Sequence, residues 1–488
     1  MDADPSSTEE SGRAAARNSA AILLGRLLVA ALGWAGSVLI ARKLSPEDWG
    51  QFAFVFGLLG LLSVVTDLGV GRVVLARLMD SKPDEVSRLA SSFIALRMTL
   101  GVIGYLVALA YVTAMGYPGS VIRATALAGL VVVIATPSHA LSVLFQSTLR
   151  LTLVAVAEVA AQLVQLGLTI AAALFAPVLL VFVLPAVINE LVSLGIKIAG
   201  VRRGHGGPRP SRGRHLGLWR SMLIEAVPLT IGTALVTVLT KLDVLILSRL
   251  DTFESVGLYS VGYKFSDVLV VVGMAVTMPV TTLLVRAWPE DPETFRRRVR
   301  VASLTLGLLA GVAIASFWAS AGPVLTLLYG ERFGAAAPTA RLLVAGGSIA
   351  MLSQLGFMVL VSAGRQRVYP WLGLAGLVVN VGLNLLLIPA MSYYGAAIAT
   401  IATEGLLTVL VWVVVVKSIP VRRLVPGRQL CGLMLLTVAV SAASELLAHW
   451  VAWPAVALVC VCVLPLAAHL LRLTGELNLP GLLRGRRS

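Results

Sequence analysis

The sequence predicts an all-α, polytopic integral membrane protein of about 14 transmembrane helices. They are expected as two six-helix bundles related by a pseudo-two-fold axis along the membrane normal, with two extra C-terminal helices. Three observations predict the membrane-spanning helices, and the repeat and resemblance described below predict their grouping. Of 488 residues, 58% are hydrophobic and 13% charged, against about 25% charged in soluble domains. The apolar runs are continuous and reach about 20 residues, the length that crosses a hydrocarbon core roughly 30 Å thick. Basic residues alternate in density from one connection to the next, as topology requires. A mean hydropathy of +0.91 leaves a soluble chain nowhere to hide its apolar surface. An outer-membrane barrel is excluded because its strands would alternate in polarity.

The spans are expected near residues 18–40, 52–78, 89–113, 122–147, 153–176, 178–201, 221–248, 256–285, 299–320, 338–362, 369–389, 394–416, 429–447 and 454–472. The domain organisation follows from them. Residues 1–17 form a polar cytoplasmic N-terminus with no cleavable signal, and 18–201 the N-terminal six-helix bundle. Residues 202–220 form a basic cytoplasmic linker, and 221–416 the C-terminal bundle. Residues 417–488 carry the two extra helices and a basic cytoplasmic tail. With the N-terminus in the cytoplasm, 29 of the 39 Lys and Arg fall on the cytoplasmic side, six outside and four within spans. That bias supports both span count and orientation, and a multi-pass inner or plasma membrane protein is expected. It also accounts for most of the net charge of +15, so no nucleic-acid partner is expected. Cys431, Cys460 and Cys462 lie in apolar runs and make no disulfide framework.

The two halves carry an internal repeat. Ala41-Arg42 precedes Gly50, Phe52 and a long apolar run; Ser248-Arg249 precedes Gly257, Tyr259 and another. The offset is 207 residues and six helices, so both copies enter the membrane in the same sense. Parallel repeats of this kind place substrate paths between them near the midplane.

Several segments resemble one family. Ala41-Arg42-Lys43-Leu44-Ser45-Pro46-Glu47-Asp48-Trp49-Gly50 resembles A-R-x-L-G-P-x-x-[FY]-G, with Ser45 in place of Gly and Trp49 in place of Phe or Tyr. Asp67-Leu68-Gly69 in span 2, Val256-Gly257-Leu258-Tyr259 opening span 8, and Leu328-Tyr329-Gly330 with Phe333 are similar to further family segments. So is the block from Asn380 and Asn384 through Ile388-Pro389 to Tyr394-Gly395-Ala396-Ala397, Ala399-Thr400 and Glu404. Over roughly residues 15–420 the chain resembles the polysaccharide-type flippases of the multidrug/oligosaccharidyl-lipid/polysaccharide exporter superfamily. The resemblance implies two bundles around a central cavity. It also implies translocation of a polyprenyl-(pyro)phosphate-linked oligosaccharide from cytoplasmic to outer leaflet, in cell-surface polysaccharide biosynthesis. Implied partners are the lipid-linked oligosaccharide, membrane lipids, and a polysaccharide polymerase or glycosyltransferases of the same pathway.

Basic side chains inside spans cost about 2.5–3.5 kcal/mol at a helix centre, so each needs a partner, a wet cavity or a function. Arg26 and Arg97 lie about two turns from the inner side of spans 1 and 3. With Arg72 and Arg77 they would form a cationic cluster at the depth of a lipid diphosphate, which the planar guanidinium suits. The competing reading is snorkelling, or a pair with Glu158 or Asp67. Across the outer turn between spans 7 and 8, Lys241 is level with Asp267 and Asp243 with Lys264. These form gating or structural ion pairs, with Lys264 the third candidate for substrate binding. Glu190 and Lys197 share one helix face. Asn380 and Asn384 are expected to bond between helices, and Glu404 is a candidate for ion coupling.

No P-loop, zinc-protease, C-x-x-C or dinucleotide motif is present, and the five histidines show no ligand spacing. No enzyme activity, cofactor or metal site is therefore expected. The alternative function is a cation-coupled multidrug or metabolite antiporter of the same superfamily. A polymerase or ligase is disfavoured by the lack of a long outer loop.

Overall fold

The computed structural model describes Gly25 and residues 28–148, 150–204 and 216–474. Within them the regular structure is helical. Helix α1 covers 28–43. It is followed by α2 (Pro46–Asp67), α3 (Val70–Asp80), α4 (Pro83–Ala114), α5 (Gly119–Ser147), α6 (Leu151–Phe175) and α7 (Leu179–Arg202). Then come α8 (Leu216–Leu250), α9 (Phe253–Ala287), α10 (Pro292–Tyr329), a short 3₁₀ segment (Glu331–Ala336) and α11 (Ala337–Ser362). The chain ends in α12 (Tyr369–Ser418), α13 (Gly427–Leu447) and α14 (Trp453–Leu470). Ten helical segments among the described residues are long and apolar enough to cross a membrane. One of them, Gln366–Ser418, contains two expected spans. The other three expected spans correspond to α1, to α2 with α3, and to α8.

Helix starts follow local chemistry. Ser45 caps α2 by accepting the Asp48 N–H at 3.0 Å, and Thr252 caps α9 by accepting the Ser255 N–H at 3.2 Å. The two caps are 207 residues apart, so the repeat offset reappears as a structural equivalence.

The expected spans depart from plain helices in two places. Span 2 breaks at Leu68 (φ 42°) and Gly69 (φ 62°), which divide α2 from α3. Spans 11 and 12 form one hairpin that reverses at Ser392 (φ 56°, ψ −142°). A Cβ on Gly395 would lie 2.4 Å from the Leu387 carbonyl oxygen, and one on Gly376 would lie 2.9 Å from the Leu407 methyls. Residues eight apart along one helix are about 12 Å apart, so these contacts define two antiparallel arms. The hydroxyl of Ser392 donates to Asp251 and lies 3.1 Å from that of Ser255.

Two compact units divide inside α8, one running to Leu245 and the other from Ile246. The sequence groups all of α8 with the second half. Its N-terminal part packs in the first unit because its side chains bond there: Trp219 Nε1 donates to the Ser92 carbonyl at 3.1 Å, and Thr230 Oγ1 to the Leu68 carbonyl at 2.7 Å. The core of this unit joins Val70 and Val74 of α3, Phe93 and Leu96 of α4, Phe145 of α5 and Met222 of α8. In the second unit Phe295, Val299, Met351, Leu355 and Val411 form the core between α9, α10, α11 and α12. Helices α13 and α14 dock on α10. Gly307 and Gly311 let them approach, since a Cβ there would meet Leu430 at 2.9 Å and Thr437 at 2.5 Å. Arg341 fastens one end of this docking, 3.0 Å from Glu445 and over the ring of Trp318. Phe175, Trp371 and Trp450 stand exposed at helix ends, as aromatic residues do at membrane interfaces.

Gly69 needs a left-handed backbone, and a Cβ there would lie 2.2 Å from Thr230 Oγ1. Gly69→Ala should therefore cost about 2–3 kcal/mol, from αL strain and the lost Thr230 bond. Thermal unfolding in detergent should show a clear drop in midpoint. Gly167→Ala, where a Cβ meets nothing within 4 Å, should leave it unchanged or slightly raised.

Candidate functional site

The first unit has a polar interior built around the α2–α3 break. Ending α2 at Asp67 leaves carbonyl groups without intrahelical partners, a severe cost in a bilayer. Arg97 of α4 supplies one donor: its Nη1 lies 2.7 Å from the Thr66 carbonyl oxygen and 2.6 Å from Asp67 Oδ1. Thr230 supplies a second, to the Leu68 carbonyl. Arg97 is 3% exposed and Asp67 59%, so the carboxylate opens the pair towards the surface. Arg97 Nε is buried with no hydrogen-bond partner among the described residues.

A second polar layer joins α5, α6 and α7. Lys197 is 1% exposed, and its Nζ donates to Ser138 Oγ at 2.9 Å. Glu158 and Glu190 are its electrostatic neighbours. Asn189 Nδ2 bridges Gln165 Oε1 at 2.8 Å and Gln162 Oε1 at 3.4 Å. His139 lies within electrostatic reach of Arg97, Lys197 and Asp67, and so connects the two layers. Three carboxylates face two cations here. Ionised groups inside a bundle persist when they partner one another, and this set is close to neutral.

The sequence-predicted residues distribute as follows. Arg26 lies outside the described residues. Arg97 is buried against Asp67 rather than open to a cavity. Lys241 and Asp243 sit on α8 in the first unit; Asp243 is buried, and the Lys241 stem would lie 3.8 Å from a Cβ on Gly60. Lys264 and Asp267 sit half-buried on α9, and Glu404 half-buried on the second arm of α12, in the second unit. Asn380 and Asn384 are buried, and Asn384 Nδ2 donates to the Asn380 carbonyl at 2.9 Å. That bond runs within one arm, because residues one turn apart on one face meet each other first.

Sequence reasoning missed His139, Gln162, Gln165 and Asn189 as one layer. A signal was present: Glu158, Gln162 and Gln165 recur at i, i+4 and i+7 along an otherwise apolar span, one face of a helix.

A family model described as polysaccharide biosynthesis protein matches residues 15–284, and the MatE model matches residues 228–386. No curated protein sequence matches the chain. Among solved structures, the fold is similar to the lipid II flippase MurJ in an inward closed conformation. The TM-score is 0.71 at 12% identity, over 92% of this chain and 98% of that one. It is also similar to an inward-facing multidrug resistance MATE family transporter of the MOP superfamily, with TM-score 0.65 at 14% identity, over 80% and 94%. A MOP superfamily transporter from Pyrococcus furiosus aligns with TM-score 0.57 at 12% identity, over 82% and 94%. At these identities the likeness establishes the fold.

The Arg97–Asp67 pair should be measurable. In a double-mutant cycle, Arg97→Ala and Asp67→Ala should show a coupling of about 1.5–3 kcal/mol in detergent unfolding, as charged hydrogen-bonded neighbours do. Additive effects would mean that the two side chains act separately.

Proposed function

The chain belongs to the polysaccharide biosynthesis protein family, and on that premise we propose that it is a flippase for a polyprenyl-(pyro)phosphate-linked oligosaccharide. It is a multi-pass membrane protein with the fold of the MOP superfamily. The cargo moves from the cytoplasmic to the outer leaflet, in cell-surface polysaccharide synthesis. The observation that carries this reading is the family match across more than half of the chain. The lipid II flippase fold supports it, since that protein handles a lipid-linked cargo by name.

Moving such a cargo needs no covalent chemistry. It needs a site whose affinity differs between two states. Basic side chains within the spans suit a diphosphate, and the candidates are Arg26 and Arg97 at inner-leaflet depth and Lys264 nearer the outer turn. Arg97 holds Asp67 in the conformation described, so phosphate binding there proceeds by exchange: the diphosphate replaces the carboxylate. Such an exchange keeps the guanidinium partnered throughout, which a buried charge requires. The second reading, a cation-coupled multidrug or metabolite antiporter, is favoured by the MatE match over residues 228–386. In that reading Glu404 carries the ion.

Both termini and the 202–220 segment are cytoplasmic in this proposal. Cysteines placed at 210 and 334 on a Cys-free background test it with an impermeant thiol reagent. Labelling of intact cells is expected at 334 alone, and labelling at 210 alone reverses the orientation.

Transport is tested in cells that make the glycan. At normal protein level, Arg26→Ala should accumulate lipid-linked oligosaccharide on the inner leaflet and slow export about tenfold or more, the weight of one charge-assisted contact, and Arg97→Lys, which keeps the charge but loses the planar fork, should slow it less. Normal export in both removes these arginines from the site. Glu404→Gln leaves export unchanged under the flippase reading with no ion at Glu404, and abolishes it if Glu404 couples transport.

A further inference from the structure

Where α3, α4 and α8 meet at one end of the first unit, they enclose a cavity of about 910 Å³. Its charged lining is Arg72, Arg77, Asp80, Glu85, Arg88 and Glu225. The cavity is held by side-chain bonds. Arg77 Nη1 donates to Ser221 Oγ at 2.8 Å and Nη2 to Glu225 Oε1 at 2.5 Å, tying α3 to α8. Trp219 ties α8 to α4 through the Ser92 carbonyl. The α2–α3 break sets where α3 runs, and so forms the third wall.

The charge arithmetic within this cavity is unusual. Arg77 and Glu225 satisfy each other. That leaves two guanidiniums, Arg72 and Arg88, and two carboxylates, Asp80 and Glu85. Among the described residues none of these four side chains has a hydrogen-bond or ion-pair partner. Opposite charges thus line one space without closing on one another. Val73, Leu89 and Leu218 supply an apolar wall beside them.

A simple anion would be drawn by the arginines and repelled by the carboxylates, and a simple cation the reverse. A ligand carrying both signs a few atoms apart satisfies all four, and an apolar tail satisfies the wall. On the orientation proposed above, this end of the unit lies at the cytoplasmic surface, level with lipid headgroups. We propose that the cavity binds an inner-leaflet phospholipid whose headgroup joins a phosphate to a primary ammonium. The Arg72 and Arg88 forks hold the phosphate oxygens. Asp80 and Glu85 accept the ammonium N–H bonds, which a quaternary ammonium cannot donate. The lipid is a resident of the site, chemically distinct from the diphosphate cargo.

The test is calorimetric titration of the purified full chain with dihexanoyl phosphatidylethanolamine, phosphatidylglycerol and phosphatidylcholine. The ethanolamine lipid should bind about tenfold tighter than either other lipid. Arg72→Ala and Arg88→Ala should each weaken it about tenfold or more, one charge-assisted contact each. The double variant Asp80→Asn, Glu85→Gln should bind ethanolamine and glycerol headgroups within about twofold of each other, because its phosphate contacts remain. All four positions are exposed, and gel filtration confirms that each variant is folded. Arg123→Ala, at the other end of the unit, should bind as the unsubstituted chain does. Equal affinity for the three lipids overturns the proposal, as do arginine variants with unchanged affinity. Farnesyl phosphate binding tenfold tighter than the ethanolamine lipid also overturns it, by assigning the cavity to a phosphate without an ammonium. The titration reads headgroup chemistry whichever way the protein faces and whatever it transports. Failure of the flippase reading or of the orientation is therefore registered separately, by the export and thiol-labelling experiments.

Discussion

A bilayer offers no water to an unpaired carbonyl, so a helix that breaks within it must be repaired by side chains. The first unit depends on that constraint. Where α2 stops, Arg97 donates to the Thr66 carbonyl and Thr230 to the Leu68 carbonyl. Gly69 is the residue that lets the chain turn without a Cβ striking Thr230. These bonds come from α4 and α8, so one repair fixes three elements relative to α3. The cavity with its mixed charges, and the layer that runs through His139 to Lys197, are both arranged around that repair.

Asp67 completes the arrangement electrostatically. A guanidinium 3% exposed would be prohibitively placed alone, and its carboxylate, 59% exposed, brings the compensating charge from the side that faces outward. The second unit has no counterpart at the corresponding place. Helix α9 runs unbroken from Phe253 to Ala287, although its cap at Thr252 matches Ser45 at the repeat offset. The two halves thus share their entry into the membrane and differ beyond it. A broken helix, and the charges needed to mend it, are properties of the first half.

The helical architecture was legible in the sequence because apolar length and basic alternation are long-range, redundant signals. Each of the fourteen expected spans has a helical counterpart, whereas the capping roles of Ser45 and Thr252 emerge only from the structure. The break at Leu68 was not legible, because the apolar pattern continues through it and Gly69 is one of 45 glycines. Its neighbour Asp67 was visible as part of a family-like motif and as one of two carboxylates the sequence offered as a partner for the arginines within spans. Arg97 was legible as an expensive residue. Whether it faced a ligand or a carboxylate depends on contacts between helices that sequence spacing does not contain. The same holds for α8, whose N-terminal part looks like the start of a second half and packs through Trp219 and Thr230 into the first.

The reversal in α12 carries a consequence for chain length. Its two arms turn at Ser392 with almost no loop, and they are already in backbone contact at Gly395 and Leu387. One added residue at the turn would rotate the second arm by about 100°. Gly395 would no longer face the Leu387 carbonyl, Gly376 would lose Leu407, and the Tyr259 hydroxyl, 3.1 Å from that of Thr400, would face a different side chain. This hairpin is therefore a register that tolerates substitution better than insertion.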